Sequence, residues 1–255
     1  MQKMETADVL CYGNGSHRIV AIHGIQGTRA SWLPLVEALQ EETYWILPNL
    51  RGRGDALRGN GSADYTLEKF AADIADVIAQ YADASPYVLA GWSMGVSVAL
   101  ATIGELQRRK QPLPQAMILM SGSPILKQTH WFRATGHEAL LKRIAEREVR
   151  LGLRNAADRD AVAWTWQAIG NTDQRPLLSA IDIPTLIVHG SADEDSPWPH
   201  AQLLARGLPR ANLRTIDSGM HSILTQDTAR VAQEIHTFLS TPFQPSSSGS
   251  IHEKQ

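Results

Sequence analysis

The most informative stretch of this chain is YVLAGWSMGV, residues 87–96. Its first four residues form the short apolar run typical of a buried strand, and a helical stretch follows from Val96 to Leu106. Between them, Gly91 and Gly95 enclose Ser93 in a Gly-x-Ser-x-Gly pattern. In this context the pattern is typical of a nucleophile elbow, a sharp strand-to-helix turn whose glycines permit close approach of strand and helix. We therefore predict that Ser93 has a strained backbone and projects its hydroxyl from the carboxyl end of a strand.

Short apolar runs alternate with helical stretches over most of the chain. The runs that we expect to form strands are Ile19–Ile22, Trp45–Leu47, Tyr87–Ala90, Ala116–Met120, Thr185–Val188 and Leu213–Ile216. Amphipathic periodicity predicts helices over Trp32–Leu39, Leu67–Tyr81 and Val231–Leu239, with Thr66 as the N-cap of the second. Runs that are apolar on both faces are typical of parallel strands covered by helices on both sides. The predicted fold class is therefore α/β, with a mostly parallel, doubly wound sheet.

One segment breaks the alternation of strands and helices. No strand run occurs from Ile125 to Ile183, where residues 137–151 and 156–169 are candidate helices. We interpret this segment as a helical insertion between two strands. A final stretch rich in proline and serine has little to bury and is expected to be disordered. The predicted organisation is a core of residues 1–124 and 184–240, an insertion of residues 125–183 and a disordered tail of residues 241–255.

The composition excludes several classes of protein. The 255 residues include 24 Lys and Arg against 26 Asp and Glu, and a net charge of −2 gives no bulk attraction to nucleic acid. A single cysteine, Cys11, excludes an internal disulfide and zinc-finger spacing. The most apolar stretch, Val88 to Gly104, is too short and interrupted to span a bilayer, and Met1–Leu10 lacks a signal pattern. We expect a soluble, cytoplasmic protein without a nucleic-acid or membrane partner.

A serine hydroxyl becomes an effective nucleophile when a base takes its proton. The base should be a histidine oriented by a carboxylate, and in folds that carry this elbow the chain order is serine, acid, histidine. Asp193 comes just after the run Thr185–Val188, and His221 comes just after Leu213–Ile216. Both residues thus follow the carboxyl ends of predicted strands, where we expect the hydroxyl of Ser93 to lie.

From about Val9 to Leu239, the chain resembles the α/β-hydrolase family. Besides the Ser93 turn, the matching motifs are an early His-Gly pair at His23 and Gly24, an acid turn at Gly190, Asp193 and Pro197, and a late Gly-x-His turn at Gly219 and His221. The loop NLRGRGD, residues 49–55, departs from the family pattern: Asn49 replaces the usual Asp, Arg53 the usual His, and Asp55–Ala56 the usual Ser. The resemblance implies an α/β-hydrolase fold in which Ser93 is the nucleophile, Asp193 the acid and His221 the base.

Alternatives exist for both partners of the serine. Glu194 or Asp195 could be the acid, although the spacing to Pro197 favours Asp193. The other histidines either lie at strand ends, where relatives often carry residues without proton-transfer roles, or lack the late turn context.

The resemblance also implies an oxyanion hole made of backbone N–H groups, those of Met94 and Ile25. The sequence contains none of the common metal or nucleotide motifs. We therefore expect neither a metal site nor a cofactor.

In this family, an insertion such as residues 125–183 resembles the helical cap that closes over the nucleophile. It contains Trp131, Trp164 and Trp166, which we expect to line an apolar substrate pocket above Trp92. The alternative is that these side chains only pack the cap onto the core.

Four arginines, Arg143, Arg147, Arg150 and Arg154, recur at helical spacing on one face of the first cap helix. Such a stripe could dock an acidic acyl-carrier protein or a coenzyme A phosphate; the alternative is a solvated charged face. Two short stretches, residues 91–93 and 173–175, resemble carboxylesterases that demethylate a carrier-bound pimeloyl ester. The predicted partners are a small-molecule ester substrate and an acyl-carrier protein.

The resemblance implies a serine hydrolase that cleaves the carboxylic ester of a small or medium acyl substrate through an acyl-enzyme on Ser93. A thioesterase or a lactonase would use the same residues. The sequence Ser93-Met94-Gly95 also occurs often in cofactor-free perhydrolases and haloperoxidase-like enzymes, which are a further alternative. A ligand-binding receptor with slow turnover is the remaining one.

Overall fold

Seven strands form the sheet in the computed structural model, which describes residues 8–82, 85–129, 131–134, 136–153 and 155–243. The strands are β1 (Val9–Gly13), β2 (His17–Ile22), β3 (Thr43–Pro48), β4 (Tyr87–Trp92), β5 (Ala116–Met120), β6 (Thr185–Gly190) and β7 (Ala211–Ile216). Their order across the sheet is β1-β3-β2-β4-β5-β6-β7, and each neighbouring pair is parallel except β1 with β3. Each of the six predicted apolar runs lies inside one of these strands.

Helices follow the strands and cover both faces of the sheet. They are α1 (Leu33–Leu39), α2 (Leu67–Tyr81), α3 (Met94–Arg109), α4 (His137–Leu151), α5 (Arg159–Ile169), α6 (Pro199–Gly207), α7 (Ile223–Gln226) and α8 (Thr228–Leu239). One apolar core contains Phe70 of α2 and Leu204 of α6, and a second contains Leu35 of α1 and Ile235 of α8. The predicted α/β class with a mostly parallel, doubly wound sheet is confirmed.

Strand β1 is the element that the sequence pattern missed. It runs antiparallel to β3 at one edge of the sheet, with Val9 opposite Pro48 and Gly13 opposite Tyr44. Its residues alternate between half-buried and exposed because an edge strand is only partly covered. A search for continuous apolar runs therefore passes over it.

The predicted N-cap of α2 is present, since the Thr66 side chain accepts a hydrogen bond from the Lys69 N–H. Helix α5 begins three residues later than the periodicity predicts. The Asp158 side chain accepts from the Ala161 N–H and so caps the helix at that point.

Between β5 and β6 the chain makes no further strand of the sheet in its described part. We call residues 121–184 the inserted segment; it contains α4, α5 and the 3₁₀ helices Leu126–Gln128 and Arg175–Ala180. An isolated antiparallel bridge joins Ile125, near the start of the segment, to Asp173, just after α5. The chain therefore returns after α4 and α5 to the place from which it set out.

The chain after α8 remains in contact with the core for a few residues. The ring of Phe243, inside the predicted tail, lies 5.1 Å from the ring of Phe238. The rest of that tail, residues 244–255, lies outside the described residues. Of the helices described here, none is long and apolar enough to cross a membrane.

Candidate active site

Ser93 lies at the turn between β4 and α3, in a backbone conformation that residues other than glycine rarely adopt. Its φ is 58° and its ψ is −120°. A hydrogen bond of 2.8 Å from the Ser93 N–H to the Met120 carbonyl anchors the turn to the neighbouring strand β5. Strain of this kind costs about 1–3 kcal/mol and persists where the surroundings impose it.

Two glycines make this turn sterically feasible. A Cβ at Gly95 would overlap the carbonyl oxygen of Ile22 in β2, and one at Gly91 would overlap the carbonyl oxygen of Gly95. The first turn of α3 is therefore in direct contact with the backbone of β2 and β4. This contact places the Ser93 side chain at the carboxyl ends of the strands, next to the amino terminus of α3.

A continuous chain of hydrogen bonds connects Ser93, His221 and Asp193. Ser93 Oγ lies 2.9 Å from His221 Nε2, and His221 Nδ1 lies 3.0 and 3.1 Å from the two carboxylate oxygens of Asp193. All three residues are at most 4 % exposed. With the imidazole neutral and its proton on Nδ1, Nδ1 donates to Asp193 and Nε2 can accept the serine proton. The structure thus brings together the three residues that the sequence singled out.

The three carboxylates of the acid turn have different surroundings. Asp193 faces His221, and its Oδ1 also accepts hydrogen bonds from the Asp195 N–H (3.0 Å) and the Ser196 N–H (2.8 Å). Asp195 is buried and faces Arg147 and Arg150, whereas Glu194 is exposed. Of the three candidates, Asp193 is the one whose carboxylate contacts the histidine.

Asp195 stays ionised well below neutral pH. Burial by itself would raise its pKa, but the charge of Arg147 and hydrogen bonds from Arg147 and Arg150 outweigh burial and lower the pKa to about 2. This carboxylate is therefore a fixed negative charge beside the acid turn. Such a group can orient its neighbours but cannot exchange protons near neutral pH.

A second histidine lies beside Asp193. His189 Nε2 is 3.4 Å from Asp193 Oδ2 and donates to the Ser196 carbonyl oxygen at 2.7 Å. Burial lowers the pKa of His189, although the Asp193 charge opposes this. The ring therefore remains neutral near neutral pH, and its Nε2 proton adds to the donors that surround the carboxylate.

The loop after β2 contains Ile25, one of the two residues whose N–H groups are predicted to form the oxyanion hole. The N–H groups of Ile25 and Met94 donate to no acceptor within the described part of the chain. The Ile25 carbonyl accepts a 2.6 Å hydrogen bond from Arg53 Nη2, so the loop is held from its other side. That these two N–H groups form an oxyanion hole stays a prediction.

Buried cationic and histidine side chains brace this loop. His23 Nδ1 donates to the Gly24 carbonyl at 2.8 Å, and His23 Nε2 accepts from the Leu50 N–H at 3.0 Å. Burial and the nearby Arg53 charge lower the pKa of His23 to about 3. Arg53 itself is fully buried, and burial lowers its pKa to about 10, so it remains charged at neutral pH. The departure noted at Arg53 thus places a cation behind the Ile25 backbone.

The four predicted substrate-binding tryptophans have unequal positions. Trp92 Nε1 donates to the His221 carbonyl at 3.1 Å, and its ring lies 5.5 Å from the His221 ring. Trp164 lies between Tyr65, with ring centroids 5.9 Å apart, and His137, at 6.0 Å. Trp164 therefore packs the inserted segment onto the core, while Trp92 supports the histidine of the site.

Trp131 and Trp166 contact each other within the inserted segment, with ring centroids 5.6 Å apart. Trp166 and Phe132 line a cavity of about 870 Å³ in that segment. A role in substrate binding stays a prediction for these two rings and for Trp92 and Trp164.

The predicted arginine stripe is not a continuous exposed face. Arg147 is 6 % exposed and points into the protein, which removes it from any docking surface. Arg143 pairs with Glu146 at 3.0 Å and Arg150 with Asp195 at 2.9 Å, while Arg154 lies outside the described residues. Helical spacing placed Arg143, Arg147 and Arg150 on one side of α4 but could not show that Arg147, between the other two, is buried. Carrier docking at this helix stays a prediction that now rests on Arg143 and Arg150.

The described residues contain no group of three or more His, Cys, Asp or Glu side chains arranged to hold a metal ion. Arg147 and Asp195 lie near the site in roles other than those the sequence suggested, since they pair with each other instead of docking a carrier or serving as the acid. The sequence assigned no role to Arg53, noted there as a motif departure, or to Gln26, which carries no motif. Its contacts come from elements far away in the chain.

Known proteins resemble this chain both in sequence and in structure. The model of the Alpha/beta hydrolase family matches residues 19–234. A Synechocystis sp. protein named "Putative non-heme chloroperoxidase" is 27 % identical over 235 residues, covering 80 % of this chain and 84 % of that protein. An esterase from Thermogutta terrifontis superposes with a TM-score of 0.74 at 23 % identity, covering 92 % of this chain and 93 % of the other. An esterase from Exiguobacterium antarcticum gives 0.78 at 19 %, covering 91 % and 95 %.

Proposed function

This chain belongs to the alpha/beta hydrolase family, and we propose that it is a serine hydrolase that cleaves carboxylic esters. The observation that supports this most directly is the hydrogen-bonded chain from Ser93 Oγ through His221 to Asp193, at 2.9 and 3.0 Å. A serine, a histidine and an aspartate in this arrangement are suited to acyl transfer by the serine.

The reaction proceeds in two steps. In the first, Ser93 Oγ attacks the ester carbonyl while His221 Nε2 takes the hydroxyl proton, and the N–H groups of Ile25 and Met94 bind the oxyanion. His221 then gives the proton to the departing alkoxide, so an alcohol leaves and an acyl-enzyme remains. In the second, a water molecule attacks the acyl-enzyme with His221 as base, which releases the acid and restores Ser93.

Asp193 orients His221 throughout both steps. Its carboxylate holds the Nδ1 proton, which leaves Nε2 as the acceptor and stabilises the imidazolium that forms transiently. The N–H groups of Asp195 and Ser196 and the nearby His189 fix the carboxylate in turn.

Covalent labelling tests the proposal. A fluorophosphonate should modify the wild-type protein at one site, and peptide mass spectrometry should assign the added mass to Ser93. The matched control is Ser97→Ala, because Ser97 is a buried serine in the helix that follows Ser93 and its hydroxyl donates to the Ser123 carbonyl instead of contacting a histidine. Labelling should persist in Ser97→Ala and disappear in Ser93→Ala; labelling elsewhere, or none, would contradict the proposal.

We propose that the acyl group is small or medium and binds under the inserted segment, which then acts as a cap. Thioesters and lactones would react by the same steps, so p-nitrophenyl esters, acyl thioesters and lactones should be compared at one enzyme concentration. Trp166→Ala should shift the preferred acyl length if Trp166 bounds the pocket, because one methylene in an apolar pocket changes kcat/KM by about 10- to 200-fold. An unchanged preference would assign Trp166 to packing.

A second candidate is a cofactor-free perhydrolase. The chloroperoxidase name of the Synechocystis relative and the sequence Ser93-Met94-Gly95 favour testing it. Here hydrogen peroxide would replace water in the second step, and an acetyl-enzyme would yield peracetic acid. Peracid formation from acetate and peroxide at a rate similar to ester hydrolysis would support this candidate.

A further inference from the structure

Arg147 is a buried cation that the proposed reaction does not use. It lies on α4 of the inserted segment, is 6 % exposed and contacts two loops of the core. Its Nη1 donates to Gln26 Oε1 at 2.6 Å and its Nη2 donates to Asp195 Oδ2 at 3.0 Å. One guanidinium therefore joins the loop after β2 to the loop after β6.

Further hydrogen bonds attach the same two loops to the inserted segment. Gln26 Nε2 donates to the Ile144 carbonyl on α4 at 2.9 Å, and the Gln26 carbonyl accepts from the Ala157 N–H at 2.9 Å. Arg150 donates to the other oxygen of Asp195 at 2.9 Å. Both the backbone and the side chain of Gln26 are thus held by residues of the inserted segment.

Each of these two loops also contains a residue of the proposed site, one or two positions from the residue that Arg147 contacts. Gln26 follows Ile25, whose N–H is one of the two proposed oxyanion donors. Asp195 donates its own N–H to Asp193 Oδ1 at 3.0 Å, and Asp193 orients His221. A shift of α4 would therefore be transmitted to the oxyanion donor and to the acid together.

A purely structural role would be served better by an apolar side chain. Taking a charge out of water costs several kcal/mol, and a buried ion pair is often replaced by apolar residues without loss of stability. Burial lowers the pKa of Arg147, which shows that desolvation weighs on its charge, and Asp195 opposes that effect. What an arginine supplies here, and an apolar residue would not, is a two-pronged donor with fixed geometry.

We propose that Arg147 is a positioning residue that makes the geometry of the active site depend on the seating of α4, by holding Gln26 and Asp195 at fixed separation. The inference rests on the proposed function. The inserted segment is then a working part of the site, since the oxyanion donor and the acid reach their places when α4 is docked.

Arg147→Met tests the inference, with Lys142→Met as the matched control, a cation on the same helix. Lys142 is exposed. Because misplacement of a reacting group by about 1 Å costs roughly 10²-fold, we expect Arg147→Met to lower kcat by about 10- to 100-fold with KM changed less than threefold. Lys142→Met should stay within twofold of wild type in both constants.

Binding of a transition-state analogue separates positioning from general stability. An alkylboronic acid forms a tetrahedral adduct with the serine and places an oxygen in the oxyanion hole. Its Kd should rise in Arg147→Met by the same factor as kcat falls, while the Kd of the carboxylic acid product should change little. Arg147→Lys keeps the positive charge but loses the pair of donors with fixed geometry. Its kcat should therefore lie between those of wild type and Arg147→Met.

A second variant covers the case in which Arg147→Met fails to fold. Gln26→Leu removes the two side-chain hydrogen bonds that hold the oxyanion loop to α4 and leaves the Arg147–Asp195 pair intact, so its kcat should also fall at least tenfold. The inference is overturned if folded Gln26→Leu, and Arg147→Met or Arg147→Lys, keep wild-type kcat and boronate affinity. Failure of the proposed function would give a different result, because the wild-type protein would then show no Ser93-dependent ester hydrolysis at all.

Discussion

Ser93 illustrates how one residue depends on its backbone as much as on its side chain. Its φ of 58° belongs to the strained turn before α3, and its hydroxyl lies 2.9 Å from His221 Nε2. Ser97, inside α3, has neither the strained turn nor the histidine. Reactivity at residue scale therefore follows from position, and substitutions can test it one atom at a time.

Ser93→Ala should lower kcat for p-nitrophenyl ester hydrolysis by about 10⁴- to 10⁶-fold, since it deletes the attacking oxygen. The circular dichroism spectrum should match that of the wild type because a single buried oxygen is lost. Ser97→Ala, measured beside it, should retain most of its activity. More than about 1 % residual kcat in Ser93→Ala would remove this serine from the nucleophile role.

Asp193→Asn and Asp195→Asn should differ strongly in their effect. The first loses the carboxylate that holds the His221 Nδ1 proton, and we expect kcat to fall by about 10⁴-fold. The second leaves Asp193 in place and weakens the contact with Arg147, so we expect a loss of about 10- to 100-fold. Steady-state kinetics of both variants would decide, and the reverse order would assign the acid to Asp195.

Helix α3 and the strands beneath it set the position of the nucleophile at the scale of whole elements. Gly95 brings the first turn of the helix against the Ile22 carbonyl, and Gly91 brings β4 against Gly95. Gly104 lies on the same helix but has no atom within 4 Å of where a Cβ would be. The two glycines Gly95 and Gly104 therefore offer an internal comparison.

Gly95→Ala should lower the free energy of unfolding by about 1–3 kcal/mol or more, because the added methyl must push the helix from the sheet. Gly104→Ala should raise it by about 0.5–1 kcal/mol, since alanine loses less conformational freedom in a helix interior. Urea unfolding followed by circular dichroism measures both changes. Equal effects of the two substitutions would mean that α3 does not need the close approach.

The stability of the whole molecule depends on pH through buried groups that keep one protonation state in the folded protein. His23 is fully buried, accepts the Leu50 N–H on Nε2 and has its pKa lowered to about 3. In the unfolded chain a histidine titrates near ~6.5. Between these values the unfolded state binds a proton that the folded state does not, so stability rises with pH across this window and is lost as pH falls through it.

We expect the free energy of unfolding to fall as pH decreases from about 6.5 towards 3, with His23 contributing up to ~1.4 kcal/mol per pH unit. His189, whose pKa is also lowered by burial, acts in the same direction. Asp195, with its pKa lowered to about 2 from 3.8, adds a further loss below pH 3.8. In His23→Gln the slope of urea-derived stability between pH 4 and 6.5 should be shallower; an identical slope would contradict a neutral His23.

Local pattern was enough to predict much of this protein. The strand, turn and helix around Ser93 follow from residues within about ten positions, as do the apolar runs of the parallel strands and the turns that hold Asp193 and His221. Periodicity and turn chemistry act over short distances, so a sequence displays them directly. The edge strand β1 was not predicted, because a strand that is only partly buried has no continuous apolar run.

Contacts between distant segments were decided by the tertiary structure. Arg147 and Gln26 are 121 positions apart, and Arg147 and Asp195 are 48 apart. The packing of the inserted segment on the core decides whether an arginine on α4 is exposed to water or paired with a carboxylate. Helical spacing gives no information on that packing. For the same reason the sequence left three carboxylates open at residues 193–195, whereas packing directs one towards His221 and another towards Arg147.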